Sequence, residues 1–270
     1  MIIAIGHKKQ VGKDTVGKII QYLYWLKDNK HDEKLYTFED FLNGDYLNTN
    51  PNFKIKKFAL KLKQIVALLI SCSLEDLEDE EFKNKELGED WIHTYYNTKD
   101  GDVLLNEHLL SKKEAEMDLA FYQTIFGDSA TIETITIKYT PRLLLQHIGT
   151  DLFRNQLLYD IWVKSLMSDY KIVADLLLEG EVRIVREEDL IYPDWIITDM
   201  RFPNEFEAVK AKGGITIKIN RNVQQNPKIK LHYSEFALDK HKFDYIIDNN
   251  GTIEQLIQKV KKILIKEKIL

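Results

Sequence analysis

The chain opens with a strand, a loop that contains glycine and lysine, and a helix, and this order leaves few folds open. Residues 2–5 form an apolar run, IIAI, which is typical of a buried β-strand. Apolar residues then recur at the spacing of one helix face, at Val16, Ile19, Ile20, Leu23 and Leu26. The segment between them, residues 6–15, reads GHKKQVGKDT. It therefore connects a predicted strand to a predicted helix.

This loop has the composition of a phosphate-binding loop. In such loops the backbone N–H groups and the helix N-terminus point at phosphate oxygens, and a lysine reaches the terminal phosphates. Two positions depart from the strict pattern, because His7 stands where the first glycine is expected and Asp14 stands at the usual Ser/Thr position. A lysine-rich loop after an edge strand is the alternative interpretation. The candidate ATP-binding residues are Lys9, Val11, Gly12, Lys13, Asp14 and Thr15.

Strands and helices continue to alternate along the chain. The further predicted strands are residues 55–60, 195–199, 215–219 and 245–247. The further predicted helices are residues 62–71, a helix that starts at Pro141, and residues 152–170, 205–212 and 253–264. This alternation favours an α/β fold, a P-loop NTPase-type three-layer sandwich with a mostly parallel sheet and helices on both faces. We expect a single domain over residues 1–270, with a cap or insertion at about residues 74–139, where the periodicity is unclear.

Composition excludes several classes of protein. The longest apolar run, residues 65–70, is far shorter than the roughly 20 residues that a membrane span needs. The N-terminus lacks the charged region and cleavage site of a signal peptide, so we expect no membrane partner. Cys72 is the only cysteine, which excludes an internal disulfide and favours a cytoplasmic location. A net charge of −5 gives no general attraction to nucleic acid.

Together with the loop, further blocks of the sequence resemble the phage-type deoxynucleoside monophosphate kinases, a branch of the P-loop kinase fold. The blocks are Phe58-Ala59 with Lys63; Arg142, Gln146 and Gly149-Thr150-Asp151; Trp162; Asp199, Arg201 and Glu205; HYSE at 232–235; and NNGT at 249–252. They cover nearly the whole chain except residues 87–139. The form Gly12-Lys13-Asp14-Thr15 is the one that this family uses, whereas His7 is a departure from it.

The resemblance implies transfer of the γ-phosphoryl group of ATP to a (deoxy)nucleoside monophosphate, with Mg²⁺ as cofactor. It also implies that two chains can pair as a homodimer. The acceptor is already a phosphate oxygen, so the reaction needs positioning and positive charge rather than a strong base. Two alternatives stay open. One is another small-molecule P-loop kinase, acting on a nucleoside or on dephospho-coenzyme A, and the other is a P-loop module that binds nucleotide without transferring phosphate.

Specific residues are candidates for each role. The candidate catalytic residues are Lys13, Arg142 and Arg201, and Arg154 is a further candidate phosphate clamp. By the resemblance, the monophosphate site includes Arg142, Gln146, Gly149, Thr150 and Trp162, to which we add Lys63, Asp199, Arg201 and Glu205. The candidate Mg²⁺ ligands, in part through water, are Asp14, Thr15 and Asp199. The structural alternatives are a surface position for Arg142, a core position for Trp162 and a helix cap for Asp199.

Overall fold

The computed structural model describes residues 1–6, 8–44, 53–106, 108–172, 192–222 and 233–270. His7 of the candidate phosphate loop and His232 of the HYSE block lie outside these ranges. The described strands are β1 (Ile2–Gly6), β2 (Phe53–Lys56), β3 (Ile92–Asp100), β4 (Val103–Leu104), β5 (Ala130–Lys138), β6 (Asp194–Met200), β7 (Ile215–Asn220) and β8 (Tyr245–Asp248). The described α-helices are α1 (Lys13–Asp28), α2 (Phe38–Asn43), α3 (Leu60–Ile70), α4 (Glu80–Asn84), α5 (Lys112–Phe126), α6 (Pro141–Gln146), α7 (Ile161–Met167), α8 (Pro203–Ala211) and α9 (Ile253–Lys266). A π-helical segment covers His147–Leu157, and short 3₁₀ turns cover Asp76–Glu78, Glu89–Trp91, Gly127–Ser129 and Tyr233–Glu235.

The chain divides into two compact units. Residues 1–61 and 158–270 form the first, which we call the core unit. Residues 62–157 form the second, which we call the inserted unit because the chain leaves the core unit to build it and then returns. Its bounds are wider than the segment at about 74–139 where the sequence predicts a cap or insertion. Among the described helices, none combines the length and the apolar character that crossing a membrane requires.

The core unit is built on a parallel sheet. Across the described residues the strand order is β2-β6-β1-β7-β8, and each neighbouring pair is parallel. β1 lies at the centre, where Ile3 is opposite Ile196 of β6 on one side and Ile215 of β7 on the other. The predicted parallel sheet is therefore confirmed, and β6, β7 and β8 contain the strands predicted at 195–199, 215–219 and 245–247.

Alternate residues of β1 face two different helical layers. Ile3 and Ile5 pack with the buried faces of α1 and α9. Ile2 and Ala4 pack in a separate cluster with residues of α7 and α8. A strand that is covered on both faces needs apolar side chains at every position, which explains the continuous apolar run at the start of the sequence. This arrangement confirms the predicted three-layer α/β sandwich.

The strand predicted at residues 55–60 is too long, because β2 ends at Lys56. The backbone N–H groups of Phe58 and Ala59 donate to the carboxylate of Asp199 at 2.8 and 2.9 Å. These donors cannot also join the ladder of the sheet, so the chain turns and α3 begins at Leu60.

The single helix predicted at about residues 152–170 is also wrong. The π-helical segment ends at Leu157, and α7 begins only at Ile161. The side chain of Asn204 stabilises the turn between them, since its Nδ2 donates to the carbonyl of Tyr159 at 3.3 Å and to Oδ1 of Asp160 at 2.9 Å.

The inserted unit contains an antiparallel sheet with the strand order β4-β3-β5. β3 and β5 pair along their full lengths, from Ile92 opposite Lys138 to Asp100 opposite Ala130. After this sheet Thr140 caps α6, accepting the N–H of Leu143 at 3.1 Å, and Pro141 occupies the first turn. The predicted helix start at Pro141 is therefore confirmed.

Candidate active site

The candidate phosphate loop follows the central strand β1 in the core unit. Gly12 is the N-cap of α1 and has a φ of +96°, a left-handed conformation that favours glycine. Space is limited at the same position, because a Cβ on Gly12 would lie 2.6 Å from Nδ2 of Asn249. That amide donates to the carbonyl of Val11 at 2.9 Å and so fixes the loop. Both the backbone conformation and the packing therefore require glycine immediately before Lys13.

Lys13 is a buried cation, with 7% of its surface exposed. Its ammonium group donates to the backbone carbonyl of Lys8. Burial, and secondly the neighbouring Arg201 guanidinium, lower the pKa of Lys13 from 10.5 to about 8, against the opposing effect of nearby carboxylates led by Glu235. The amine therefore holds its proton weakly, and an anion beside it would restore the ordinary pKa.

Arg201 is held by Glu235, a residue to which the sequence analysis gave no role. Glu235 is 5% exposed, and its Oε1 accepts from Nη1 of Arg201 at 2.6 Å. Its Oε2 accepts the backbone N–H of Lys9 at 2.9 Å. A second buried carboxylate, that of Glu205, accepts the backbone N–H of Arg201 at 2.8 Å. One carboxylate thus joins the loop to the arginine, and the other fixes the backbone from which the arginine projects.

Asp199 binds backbone rather than side chains. Its Oδ1 and Oδ2 accept the N–H groups of Phe58 and Ala59. Burial raises the pKa of the Asp199 carboxyl, against the two N–H donors, which lower it. The residue positions the segment after β2, and the alternative interpretation of a helix cap is wrong because the N-cap of α8 is Phe202.

Asp14 lies in the first turn of α1 and contacts β6. The hydroxyl of Thr198 donates to Oδ1 of Asp14 at 2.5 Å, and Nζ of Lys57 lies 3.4 Å from the same oxygen. Gly17 permits this approach, because a Cβ there would lie 2.7 Å from Cγ2 of Thr198. Thr198 is a further residue that the sequence analysis did not identify.

The loop residues fit a magnesium ion of the kind that substrates help to bind. Asp14 and Thr15 offer a carboxylate and a hydroxyl, and Mg²⁺ in nucleotide sites is commonly held by one or two carboxylates together with substrate phosphates and water. Over the described ranges there is no group of three or more His, Cys, Asp or Glu side chains able to hold a metal by themselves. The carboxylate of Asp14 and the hydroxyl of Thr15 therefore suit a metal that is also bound by the phosphates of a nucleotide.

In the inserted unit, two of the candidate cations, Arg142 and Lys63, are each paired with an acidic side chain. Nη2 of Arg142 lies 2.6 Å from Oε2 of Glu80, and its Nε donates to Oδ1 of Asn84 at 2.8 Å. Nζ of Lys63 lies 2.6 Å from Oε1 of Glu78. Each cation thus already binds an anionic oxygen, the type of group that a substrate phosphate would supply.

The other candidate monophosphate residues of this unit lie at the junction of α6 and the π-helical segment. Gln146 is the last residue of α6, and Thr150 lies in the π-helical segment, which is a rare geometry that occurs often at functional sites. Gly149 packs closely on α3, since a Cβ there would lie 2.5 Å from Cδ2 of Leu62. Arg154 is buried within the same segment.

The predicted site residues are thus distributed over both units. In the core unit they gather near the carboxyl ends of β1 and β6, where open α/β sheets place their ligands. Trp162 lies on α7 of the core unit and is 5% exposed, so its ring is buried rather than presented on an open surface. The predicted site residues of the core unit are Lys9, Val11, Gly12, Lys13, Asp14, Thr15, Trp162, Asp199, Arg201 and Glu205, and those of the inserted unit are Lys63, Arg142, Gln146, Gly149 and Thr150.

Comparison with known proteins points to one family. A family model described as "Deoxynucleotide monophosphate kinase" matches residues 1–260 of the 270. The match includes all of the elements from β1 to the greater part of α9, and therefore both units.

Individual relatives match over shorter stretches. The deoxynucleotide monophosphate kinase of Enterobacteria phage T4 is 30% identical over 133 residues, which are 49% of this chain and 48% of that protein. A putative deoxynucleotide monophosphate kinase of Acanthamoeba polyphaga mimivirus is 30% identical over 159 residues, 56% of this chain and 76% of that protein. The deoxynucleotide monophosphate kinase of Escherichia phage RB69 is 28% identical over 136 residues, 49% of this chain and 48% of that protein. The matches therefore span about half the length of the two phage relatives.

Proposed function

The chain belongs to the deoxynucleotide monophosphate kinase family, and we propose that it transfers the γ-phosphoryl group of ATP to a deoxynucleoside monophosphate. The observation that carries this proposal is the loop before α1, where Gly12 is required by its backbone and Lys13 is a buried amine with a pKa of about 8. The N-terminus of a helix is a favourable place for an anion, and a lysine beside it adds positive charge. The phosphates of ATP are anions of this kind.

We assign the ATP phosphates to the backbone of residues 9–15 and to Lys13. α1 is 16 residues long, so its N-terminus contributes a partial positive charge and N–H groups without partners in the helix. Asp14 and Thr15 would hold Mg²⁺, which would supply positive charge to neutralise part of the charge of the phosphates. Asp199 contributes by holding the backbone of Phe58 and Ala59 next to β6.

Arg201 stabilises the negative charge that develops on the phosphoryl group during transfer. The contact with Glu235 fixes the guanidinium before substrate binds, so little reorganisation is needed at the moment of reaction. Because Glu235 also binds the N–H of Lys9, the arginine and the loop are positioned together. An arginine in this role is typically worth a factor of about 10³ or more in turnover.

The acceptor monophosphate is assigned by the resemblance to Arg142, Gln146, Gly149, Thr150 and Trp162, to which we add Lys63. The ion pairs of Lys63 with Glu78 and of Arg142 with Glu80 support this assignment, because a phosphate can replace each carboxylate without leaving a cation unpaired. Pairing as a homodimer, which the resemblance also implies, can be measured by sedimentation equilibrium.

A coupled assay with ATP, Mg²⁺ and a panel of nucleoside and deoxynucleoside monophosphates tests the function. We expect ADP formation that depends on at least one deoxynucleoside monophosphate and that falls by at least about 10²-fold in Lys13→Met, which keeps the length of the side chain. Phosphorylation of a nucleoside or of dephospho-coenzyme A alone would establish a different P-loop kinase. ATP hydrolysis or ATP binding that ignores every acceptor would instead establish a nucleotide-binding module.

A further inference from the structure

The loop and the neighbouring strand carry an acid and a hydroxyl in an unusual distribution. In P-loop NTPases, magnesium is held by a Ser/Thr hydroxyl from the loop and an Asp carboxylate from a strand. In this chain the loop position after Lys13 is Asp14, and the strand residue in contact with it is Thr198. We propose that the two groups have exchanged places, so that Asp14 is the metal-facing carboxylate and Thr198 is the positioning residue that holds it. This inference rests on the proposed use of Mg²⁺ and ATP.

The direction of the hydrogen bond supports a positioning role for Thr198. A carboxylate only accepts, so the single hydroxyl proton of Thr198 is donated to Oδ1 of Asp14. Thr198 is 2% exposed, and its β-branched side chain has few rotamers, so the donor is fixed by its surroundings in β6. A hydrogen bond from a fixed donor to a charged acceptor holds the carboxylate in one orientation.

Gly17 supplies independent support for this contact. It lies inside α1, where glycine is a poor helix former, and a Cβ there would lie 2.7 Å from Cγ2 of Thr198. The methyl group of Thr198 therefore occupies the space of the missing side chain. Glycine makes the helix less stable at this point. Because it has no side chain, Thr198 can approach α1, and its hydroxyl reaches the first turn.

The second oxygen of Asp14 is available to a cation. Thr198 and Lys57 both contact Oδ1, and over the described ranges Oδ2 has no hydrogen-bond or ion-pair partner. The Asp14 side chain is 59% exposed, which leaves room for a metal and its water. Asp199, the other acid of this strand, uses both oxygens to bind the backbone of Phe58 and Ala59. Both carboxylate oxygens of Asp199 are therefore used in these backbone hydrogen bonds. The residue of β6 that contacts Asp14 is Thr198.

The test measures metal binding directly, so it does not depend on transfer to any acceptor. The affinity of the full chain for Mn²⁺ is measured by electron paramagnetic resonance with a non-hydrolysable ATP analogue. Thr198→Val keeps the shape but removes the donor, and we expect a 10- to 100-fold weaker affinity, roughly the typical effect of losing a group that orients a metal ligand. Thr198→Ser retains the donor and should restore most of the affinity. Equal affinity in wild type and Thr198→Val would overturn the proposal.

An exchange of the two residues gives a second and more specific readout. Asp14→Thr alone removes the carboxylate and should weaken Mn²⁺ affinity further. Asp14→Thr combined with Thr198→Asp restores the usual distribution, and we expect at least about a tenfold recovery over Asp14→Thr. If the double variant has the circular dichroism spectrum of the wild type but shows no recovery of Mn²⁺ affinity, the exchange is contradicted. If the double variant does not fold, the Mn²⁺ affinities of Thr198→Val and Thr198→Ser decide whether the proposal holds. A wild-type chain that shows the expected Mn²⁺ pattern but phosphorylates no monophosphate would refute the proposed function and leave this inference standing.

Discussion

Binding of a nucleotide should be accompanied by proton uptake at Lys13. Burial and the nearby Arg201 guanidinium lower the pKa of this amine to about 8 in the free protein. At pH 8.5 about three quarters of the free chains would therefore carry a neutral lysine, against about a tenth at pH 7. Bound phosphates favour the charged form, so each nucleotide should bring about three quarters of a proton with it at pH 8.5 and about a tenth of one at pH 7.

The same shift fixes the direction and the size of the effect on affinity. Because the pKa of Lys13 is lower in the free protein than in the complex, affinity should fall as the pH rises through about 8. If binding returns the pKa to its ordinary value of 10.5, the full effect is about 3 kcal/mol, or roughly 300-fold in the dissociation constant. The loss of nucleotide affinity should begin near pH 8 and be complete near pH 10.5.

Isothermal titration calorimetry measures this uptake from the dependence of the binding enthalpy on the ionisation enthalpy of the buffer. The titration uses a non-hydrolysable ATP analogue with a chelator present, so that the free state is metal-free. At pH 8.5 unperturbed histidines are neutral and nucleotide phosphates are ionised, so neither should contribute. Lys13→Met is the matched control, and its uptake should vanish. An uptake below about 0.1 proton in wild type at pH 8.5, or the same uptake in both proteins, would refute the reasoning.

Three further substitutions test the packing around the loop. Gly17→Ala should lower the free energy of unfolding, measured in urea. Overpacking against Thr198 costs about 1–3 kcal/mol, whereas the better helix former contributes about 1 kcal/mol. An increase in the free energy of unfolding would contradict this expectation. Asp199→Asn should lower the free energy of unfolding by about 1–3 kcal/mol, because the amide can accept from only one of the two backbone N–H groups, and an unchanged urea midpoint would count against the anchor role. Glu235→Gln removes the charge that orients Arg201 and should lower kcat by about tenfold or more with little change in the KM for ATP; a normal kcat would mean that the contact is only structural.

Much of the core unit could be predicted because its signals are local in sequence. β1, the loop and α1 are contiguous, and the apolar spacing of α1 alone identifies the face that packs on the sheet. The break between the π-helical segment and α7 was not predictable in the same way. It depends on Asn204, which contacts Tyr159 from 45 positions away in the chain.

The partners of the loop could not be identified from sequence for a similar reason. Thr198 contacts Asp14 across 184 positions, and Glu235 contacts Lys9 across 226 positions, so no local spacing reports either contact. The family resemblance placed Glu235 in a matching block without giving it a role. Only the fold shows that its buried carboxylate meets the loop.

The inserted unit contained one usable signal that the predictions above did not include. Residues 134–138 read TITIK, an alternation of polar and apolar residues that is typical of a strand with one solvated face, and they lie within β5. Its partner β3, IHTYYNTKD, is mostly polar and lacks a clean alternation. Its pairing is specified by contact with β5 and not by its own pattern.

Transfer of labelled phosphate tests the central claim most directly. The full chain is incubated with ATP labelled at the γ-phosphate, Mg²⁺ and each of the common deoxynucleoside monophosphates, and the products are separated by chromatography. We expect label in at least one deoxynucleoside diphosphate, in an amount equal to the ADP formed, and almost none with Lys13→Met. Label found only in inorganic phosphate, or retained in ATP with every monophosphate, would contradict the account.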